Sequence, residues 1–384
     1  MNNLVSIISN PVTTNVQQYA KTHQVQNWSH RISANIGFDT ASFDLLDTKY
    51  ALEEFFYSGL GRQVTRYSQD GNFTIWDGQI VEMTLVQPGL QSRISLREMF
   101  NRASVRYIPI NTAANPPTES AETSTAVAND TISQAKYGIK QIVVRPAHID
   151  RITATDAAQL ANVVLQKCKE PVRSNTITNS NSEPRLTVEC EGYFHTLGWR
   201  IYNQTASSGT DNADAIIDAV QTSVGEFIDA TAITSNSPTQ VQKYFNRDDT
   251  AFNIIQWIAS LGDTSYNRWL AYVLEDRKLV YKQAFDITSI TIDYIRRIND
   301  GRQEIWTPDH RLVPPWEVRP NTWMRISDIY SFEPLSTTLP ADYQTTYIES
   351  VQWSEPDQLS LTGSTGDRAQ VIMARAAAQG DSLL

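Results

Sequence analysis

The sequence predicts an α+β, β-rich fold, made of small antiparallel β-barrels or sandwiches with short helices and one inserted βα unit. Nine Trp, sixteen Tyr and abundant Thr, Val and Ile suit pleated, half-covered surfaces. Apolar and polar residues alternate with period two over many short runs bounded by turn residues. Helical spacing of apolar residues is confined to a few short stretches between those runs. A chain of 384 residues has room for two or three domains, each able to bury its own core.

The first alternating run, "NWSHRISANIGFDTASFDL", passes from Trp28 through His30, Ile32, Ala34, Ile36 and Phe38. It resumes through Ala41, Phe43 and Leu45, so both halves read as strands with one covered face. "LLDTKYALEEFFYS" follows as a short helix with Asp47 as N-cap and Leu52, Phe55 and Phe56 on one face. The glycines of "GLGRQ" come after this helix. A phosphate-cradling loop needs them after a strand and opening a helix, so Gly59 is expected to close the helix in the left-handed region. "RQVTRY", the turn "SQDGN" and "FTIWDGQIVEMTLV" read as strand, turn and strand, with Val81, Met83 and Leu85 facing away from Glu82 and Thr84. A turn at "QPG" leads into "SRISLREMFNRASVRYIPI". The first hundred or so residues are thus mostly antiparallel sheet around one helix.

Residues 111–130, "NTAANPPTESAETSTAVAND", hold no large apolar residue except Val127. They read as an arm that orders only against neighbours in an assembly. "YGIKQIVVRP" is the next strand. In "TATDAAQLANVVLQKCKE", Thr153 and Thr155 are candidate caps of a helix burying Leu160, Val164 and Cys168, with Leu165 beside them. More strand follows in "PRLTVECEGYFHTLGWRIYN". Two helices come next: "NADAIIDAVQTSV", burying Ile216, Ile217 and Val220, and "DDTAFNIIQWIASLGD", capped by Asp248 or Asp249 and ended by Gly262. "RWLAYVLEDRKLVYKQAF" is a hairpin around "EDRK", "TSITIDYIRRINDGRQEIW" another around "NDG", and "WEVRPNTWMRISDIY" closes a β-rich third region. The last fifty residues read as strand and then an Ala-rich helix.

A net charge of −10 and a pI near 5.1 exclude a protein that coats nucleic acid, since affinity for phosphates rests on clustered Lys and Arg. Cys168 and Cys190 match no zinc or redox spacing and read as small buried hydrophobes, free or bridged to each other. The N-terminus lacks the basic start and apolar core of a secretion signal, and no run is long enough to span a bilayer. A soluble protein made in the cytoplasm is expected.

Each candidate for chemistry meets a plainer explanation. Glu53 and Glu54 are adjacent on a helix, about 100° apart, and so cannot flank one glycosidic bond. Cys190 and His195 lie five apart on what reads as a strand, which puts them on opposite faces. His148 with Asp150, and His310 with Asp309, are local pairs without a nucleophile or metal partner at recognisable spacing. Asp211, Asp214 and Asp218 lack the glycine and terminal Glu of a calcium loop, and acidic residues at a helix start suit its dipole. No catalytic, cofactor-binding or metal-binding residue is assigned. Trp306, Trp316 and Trp323 could form a sugar-binding surface, but large aromatics on a Pro-containing, strand-rich segment point rather to core or subunit interface.

The order of "SANIGFDTASFDL", "SGLGRQV", "WDGQI", "ISLREMFNRASVRY", "YGIKQIVV", "LTVECEGYFHTL", "FNIIQWIASLGD" and "RWLAYVLEDRKLVY" resembles that of tail-hub or tail-tip proteins of long-tailed bacteriophages. These in turn are similar to the trimeric hubs of contractile-phage baseplates. The resemblance spans most of the chain apart from the arm. It implies two β-barrel domains, residues 1–110 with 185–203 and residues 265–335. It makes the βα unit at 137–184 an insertion, while the residues themselves mark an arm at 111–136, a helical connector at 204–264 and a strand and helix at 336–384. It further implies a homotrimeric ring in the virion tail tip that joins the tail tube to distal tip proteins and lets the genome DNA pass, with no enzyme activity, cofactor or membrane anchor. For such a ring the acidic chain is expected to line the bore with acidic or neutral residues and to use Arg296, Arg297 and Arg325, with the three Trp, at subunit contacts. The alternatives are a tail-associated cell-wall hydrolase and a receptor-binding tail protein.

Overall fold

In the computed structural model the described residues are 4–8, 18–19, 24–68, 71–146, 151–179, 183–204, 211–229, 239–284, 290–292, 294–297, 303–307, 311–325, 345–355, 358–364, 373, 374 and 377. After β1 (Leu4–Ile8), the first alternating run forms β2 (Gln24–Ser33) and β3 (Gly37–Leu46). A turn at 34–36 interrupts the run. Gly37 begins the return at φ +84°, where a Cβ would collide with the Val273 carbonyl, so only glycine fits.

Helix α1 (Lys49–Ser58) buries Leu52, Phe55 and Phe56 as the spacing predicts. Its cap is Thr48, one residue beyond the expected Asp47, whose carboxylate instead accepts the Thr48 N–H at 2.6 Å. Gly59 does not take the expected left-handed conformation. It stays right-handed, its N–H bonded to the Phe55 carbonyl, and the left-handed residue is Gly61 at φ +77°. Glycine is needed at 59 for a different reason: a Cβ there would strike the Phe55 ring and Met83 sulfur.

The chain continues through β4 (Gln63–Tyr67), β5 (Thr74–Gln87), β6 (Leu90–Ser95) and β7 (Arg102–Asn111). The arm then runs back along β7. Thr118, Thr123 and Ala128 pair antiparallel with Asn111, Tyr107 and Ala103, so the backbone of β7 holds it within the isolated chain, contrary to the expected ordering only on assembly. Helix α2 (Thr131–Tyr137) leads to β8 (Gln141–Val144) and β9 (Arg151–Ile152), both parallel to β7 on its other edge.

Helix α3 (Ala154–Cys168) packs on β7. Thr153 caps it, accepting the Asp156 N–H at 3.2 Å. Its buried stripe is Ala157, Ala161 and Leu165, with the expected Leu160, Val164 and Cys168 only partly covered, because small residues let the helix lie close to the strand. Strands β10 (Val172–Ile177) and β11 (Arg185–Glu191) follow, then a 3-10 turn at Tyr193–Trp199.

Helix α4 (Ala213–Val224) buries Ile216, Ile217 and Val220. Helix α5 (Ala251–Ser260) buries Ile254, Ile255 and Ile258 and is capped by Thr250, not by either preceding aspartate. The hairpin around "EDRK" is β12 (Trp269–Val273) with β13 (Leu279–Gln283), turned by Asp276 and Arg277 in the left-handed region. A three-stranded sheet of β14 (Tyr294–Arg297), β15 (Gln303–Trp306) and β16 (Leu312–Val313) follows, then β17 (Trp323–Arg325) and the hairpin β18 (Thr345–Ser354) with β19 (Gln358–Ser364).

The fold is β-rich α+β, but its main sheet is open among the described residues and is not closed into barrels. One antiparallel path runs β10–β6–β5–β11–β3–β2–β18–β19. β4 and β1 branch from the N-terminal half of β5, and β17 extends from the start of β18. The C-terminal strand β18 therefore pairs directly with β2, which ties the two ends of the chain into one sheet. One face of the sheet holds the largest core, including Trp28, Phe43, Trp76, Met83 and Trp353. A second core joins the 3-10 turn, α4, α5 and the β12–β13 hairpin. A much smaller buried cluster around β7 and α3 comprises Val105, Tyr107, Ala157 and Ala161.

Candidate functional site

A polar site of linked charges lies where β5, β6 and β11 run side by side. Glu82 and Glu189 face each other in the β5–β11 register, and Glu82 sits opposite Ser95 of β6. Arg93 clamps Glu82 with both ends of its guanidinium, the second contact at 2.6 Å. Arg97 reaches Glu82, Glu189 and Glu191 at 3.2, 3.0 and 3.2 Å. Burial alone would raise the Glu82 carboxyl, but the Arg93 hydrogen bond, aided by Ser95 and the two arginine charges, holds it below the usual carboxylate range. Behind this ladder Lys140 is buried, donates to the Leu96 carbonyl and lies 4.4 Å over the Trp199 ring. Burial, together with the neighbouring Arg97 charge and against that of Glu191, leaves its ammonium with a pKa of about 8. These groups satisfy one another across three strands and form a locked charge lattice.

His195 does not meet Cys190. The 3-10 turn carries its ring to Asp39 of β3, at 2.8 Å from Nε2 to Oδ1, and stacks it on Phe252 of α5. Asp39 also accepts from the Ser33 hydroxyl at 3.0 Å and lies 3.6 Å from Arg31. Burial works against its ionised form, but the bond and charge from His195, with Ser33 and Arg31, pull its carboxyl below the ordinary value. This pair stitches the sheet to the helical core. Cys190 lies in the sheet core as a free thiol, pushed well up by burial and by the charges of Glu191 and Glu189, the opposite of an activated nucleophile. Glu53 accepts from Gln87 at 2.7 Å and lies 3.8 Å from Lys49, while Glu54 points to solvent.

A second polar feature was not expected from the sequence. Arg66 of β4 is fully buried, its guanidinium 4.9 Å from the Trp28 ring and 4.6 Å from that of Trp353, and it donates to Glu355 at 2.7 Å. The Trp28 indole N–H donates to His30 Nδ1 at 3.0 Å. Burial and the charges of Arg319 and Arg66 keep that imidazole neutral, well below its ordinary pKa. Both residues could have been flagged by phase, since Arg66 follows Val64 at strand spacing and His30 falls between Trp28 and Ile32 on the covered face. Asp39, with its carboxylate paired inside the protein, carries no comparable signal.

Of the interface candidates, Trp316 packs edge-on against Trp353 at 6.1 Å and Trp323 against Tyr347 at 5.8 Å. All three Trp are half-buried. Arg325 lies on β17 opposite Thr345, and Arg296 and Arg297 lie on β14 opposite Glu304 and Gln303. Asp214 and Asp218 sit on α4 and Asp211 just before it, and no group of three potential metal-ligating side chains occurs among the described residues. His148, Asp150, Asp309 and His310 fall outside the described residues. A half-open cleft of about 610 Å³ lies between the β2–β3 turn, Tyr272, Lys282 and Arg319.

No family model and no curated protein matches the chain. Among solved structures, it is similar to a 43 kDa tail protein of prophage MuSo2 from Shewanella oneidensis, with 9% identity, a TM-score of 0.43 and coverage of 96% of this chain and 98% of that one. It is also similar to the E. coli c3393 protein, described as a component of the type VI secretion system with structural similarity to the T4 bacteriophage tail proteins gp27 and gp5. There the identity is 9%, the TM-score 0.34 and the coverage 94% of this chain and 75% of that one.

Proposed function

We propose that the chain is a structural component of a bacteriophage tail, a hub or tip protein that assembles with copies of itself and joins the tail tube to distal tip proteins without performing chemistry. The observation that supports this most is spatial. The sequence stretches that resemble the hub family are scattered over more than two hundred residues, yet five of them fold into one block, while "ISLREMFNRASVRY" and "YGIKQIVV" lead into and form β7 and β8 of the neighbouring unit. "SANIGFDTASFDL" enters and forms β3, "LTVECEGYFHTL" is β11 with its 3-10 turn, and "WDGQI" lies in β5; the three strands are neighbours in the order β3–β11–β5. "FNIIQWIASLGD" is α5, and "RWLAYVLEDRKLVY" is the β12–β13 hairpin; both pack into the core that holds the 3-10 turn.

A ring of three such copies around a passage for DNA is the arrangement the resemblance favours, with an acidic or neutral bore that lets a polyanion slide. The polar clusters suit a scaffold, because their charges are paired within the chain and hold strands in register. Antibody-gold labelling of intact phage tails tests the reading: label at the distal tail end is expected. Label absent from tails, with release of cell-wall fragments by the purified chain, would replace it with the hydrolase alternative.

A further inference from the structure

The antiparallel path of the main sheet ends on two strands that each have one partner only among the described residues, β10 on β6 and β19 on β18. Edge strands present unpaired backbone groups and are ordinarily blunted by shortness, Pro, or inward-pointing charge. β10, "VRSNTI", has none of these protections; Arg173 is its one charge and all six of its residues are exposed. A strand bare on both faces and along one edge gains little stability from its own molecule.

The direction of its free groups can be read from the ladder. Thr178 N–H donates to the Gly89 carbonyl at 3.1 Å, which extends the pairing of Ile177 with Leu90 by one residue. Thr178 therefore faces β6, and so do Thr176, Ser174 and Val172 at alternate positions. Arg173, Asn175 and Ile177 turn their N–H and C=O groups outward. At the other end, β19 is of matching length, seven residues against six, and "QLSLTGS" carries no charge to oppose Arg173.

Direction selects the partner. Seven antiparallel ladders separate β10 from β19, so the two edges run in opposite directions within one molecule. A second copy rotated about an axis roughly along the strands would bring its β19 antiparallel to β10, and repetition gives a head-to-tail ring. Pairing β10 with itself would need a two-fold axis across the strands and would end at two copies. We propose that β10 of one copy pairs antiparallel with β19 of the next, which makes the main sheet continuous across subunits. This rests on the self-assembling reading above and assigns the edges through which it occurs.

Two variants in a Cys168→Ser background test it: Asn175→Cys and Ser360→Cys, mixed and treated with a short bis-maleimide. Covalent dimers are expected from the mixture and not from either variant alone. Asn175→Pro removes only an outward-facing N–H, so it should leave the monomer's melting temperature within a few degrees while raising the concentration for half-assembly at least tenfold. Dimers from Asn175→Cys alone would overturn the proposal in favour of two-fold self-pairing. Assembly without cross-links, or unaffected by Asn175→Pro, would overturn the edge assignment and leave the tail reading standing. A chain that stays monomeric at all concentrations would overturn the edge proposal as well, while gold labelling judges the tail reading separately.

Discussion

The main sheet and the unit built on β7 hold together by opposite means. In the sheet, strands from both ends of the sequence share a core of stacked aromatics, and the Arg66–Glu355 contact spans 289 positions. Around β7, only four side chains are fully buried in the shared cluster. There the arm is held largely by backbone pairing with β7, and polar links such as Asp130–Lys169 and Arg106–Glu122 tie the unit together. Apolar area removed from water dominates stability, so the first region should unfold as one unit and the second should open below the global free energy. For the assembly role proposed above, this places a stiff frame beside a part able to adjust to neighbours.

The sharpest way to break that contrast is to empty the frame. Trp353→Ala removes a ring that touches Arg66, His30 and Trp316, and should cost about 3–5 kcal/mol in denaturant titration, a loss felt across the whole sheet. Arg66→Ala should cost about 2–4 kcal/mol, since two cation–π contacts and packing are lost and Glu355 keeps only the Trp28 backbone N–H as a partner. A double-mutant cycle with Glu355→Gln should show coupling of about 1 kcal/mol, small because Glu355 is partly exposed. Coupling near zero would mean that the aromatic rings alone hold the guanidinium.

In the other region Leu165→Ala should cost about 2 kcal/mol, and locally. Hydrogen exchange should quicken in 102–111 and 154–168 while 37–46 and 185–191 stay protected. Loss of protection in all four segments would show that the two regions form one cooperative unit.

The smallest effect is a dependence on pH. His30 is neutral in the folded protein, with a pKa well below 6.5 caused chiefly by burial. Above pH 6.5 both folded and unfolded states are neutral there and nothing changes. Below it the unfolded chain takes up a proton that the native chain refuses, so stability falls by up to about 1.4 kcal/mol per pH unit. His30→Asn should flatten the slope between pH 6.5 and 5. An unchanged slope would assign the acid sensitivity to other groups.

Periodicity located what it physically encodes. The strands at 37–46 and 185–191, the helices at 213–224 and 251–260 and the hairpin at "EDRK" follow from local patterns of apolar residues and turns. Caps were missed by one or two residues, at Thr48 for Asp47 and Thr250 for Asp249, because neighbouring hydroxyls and carboxylates compete for the same N–H groups. The open sheet was not legible, since it depends on β18 pairing with β2 more than three hundred residues away. The Asp39–His195 pair was invisible for the same reason: its partners share no local spacing. The arm at 111–130 was read from composition as lacking a core, which it does, but composition does not register the backbone edge of β7 that holds it.

Whether the chain assembles around a passage is tested most directly by negative-stain electron microscopy of the purified protein over a range of concentrations. Rings of three copies with a central bore are predicted. Uniform single-copy particles at every concentration, with no ring class, would contradict the account.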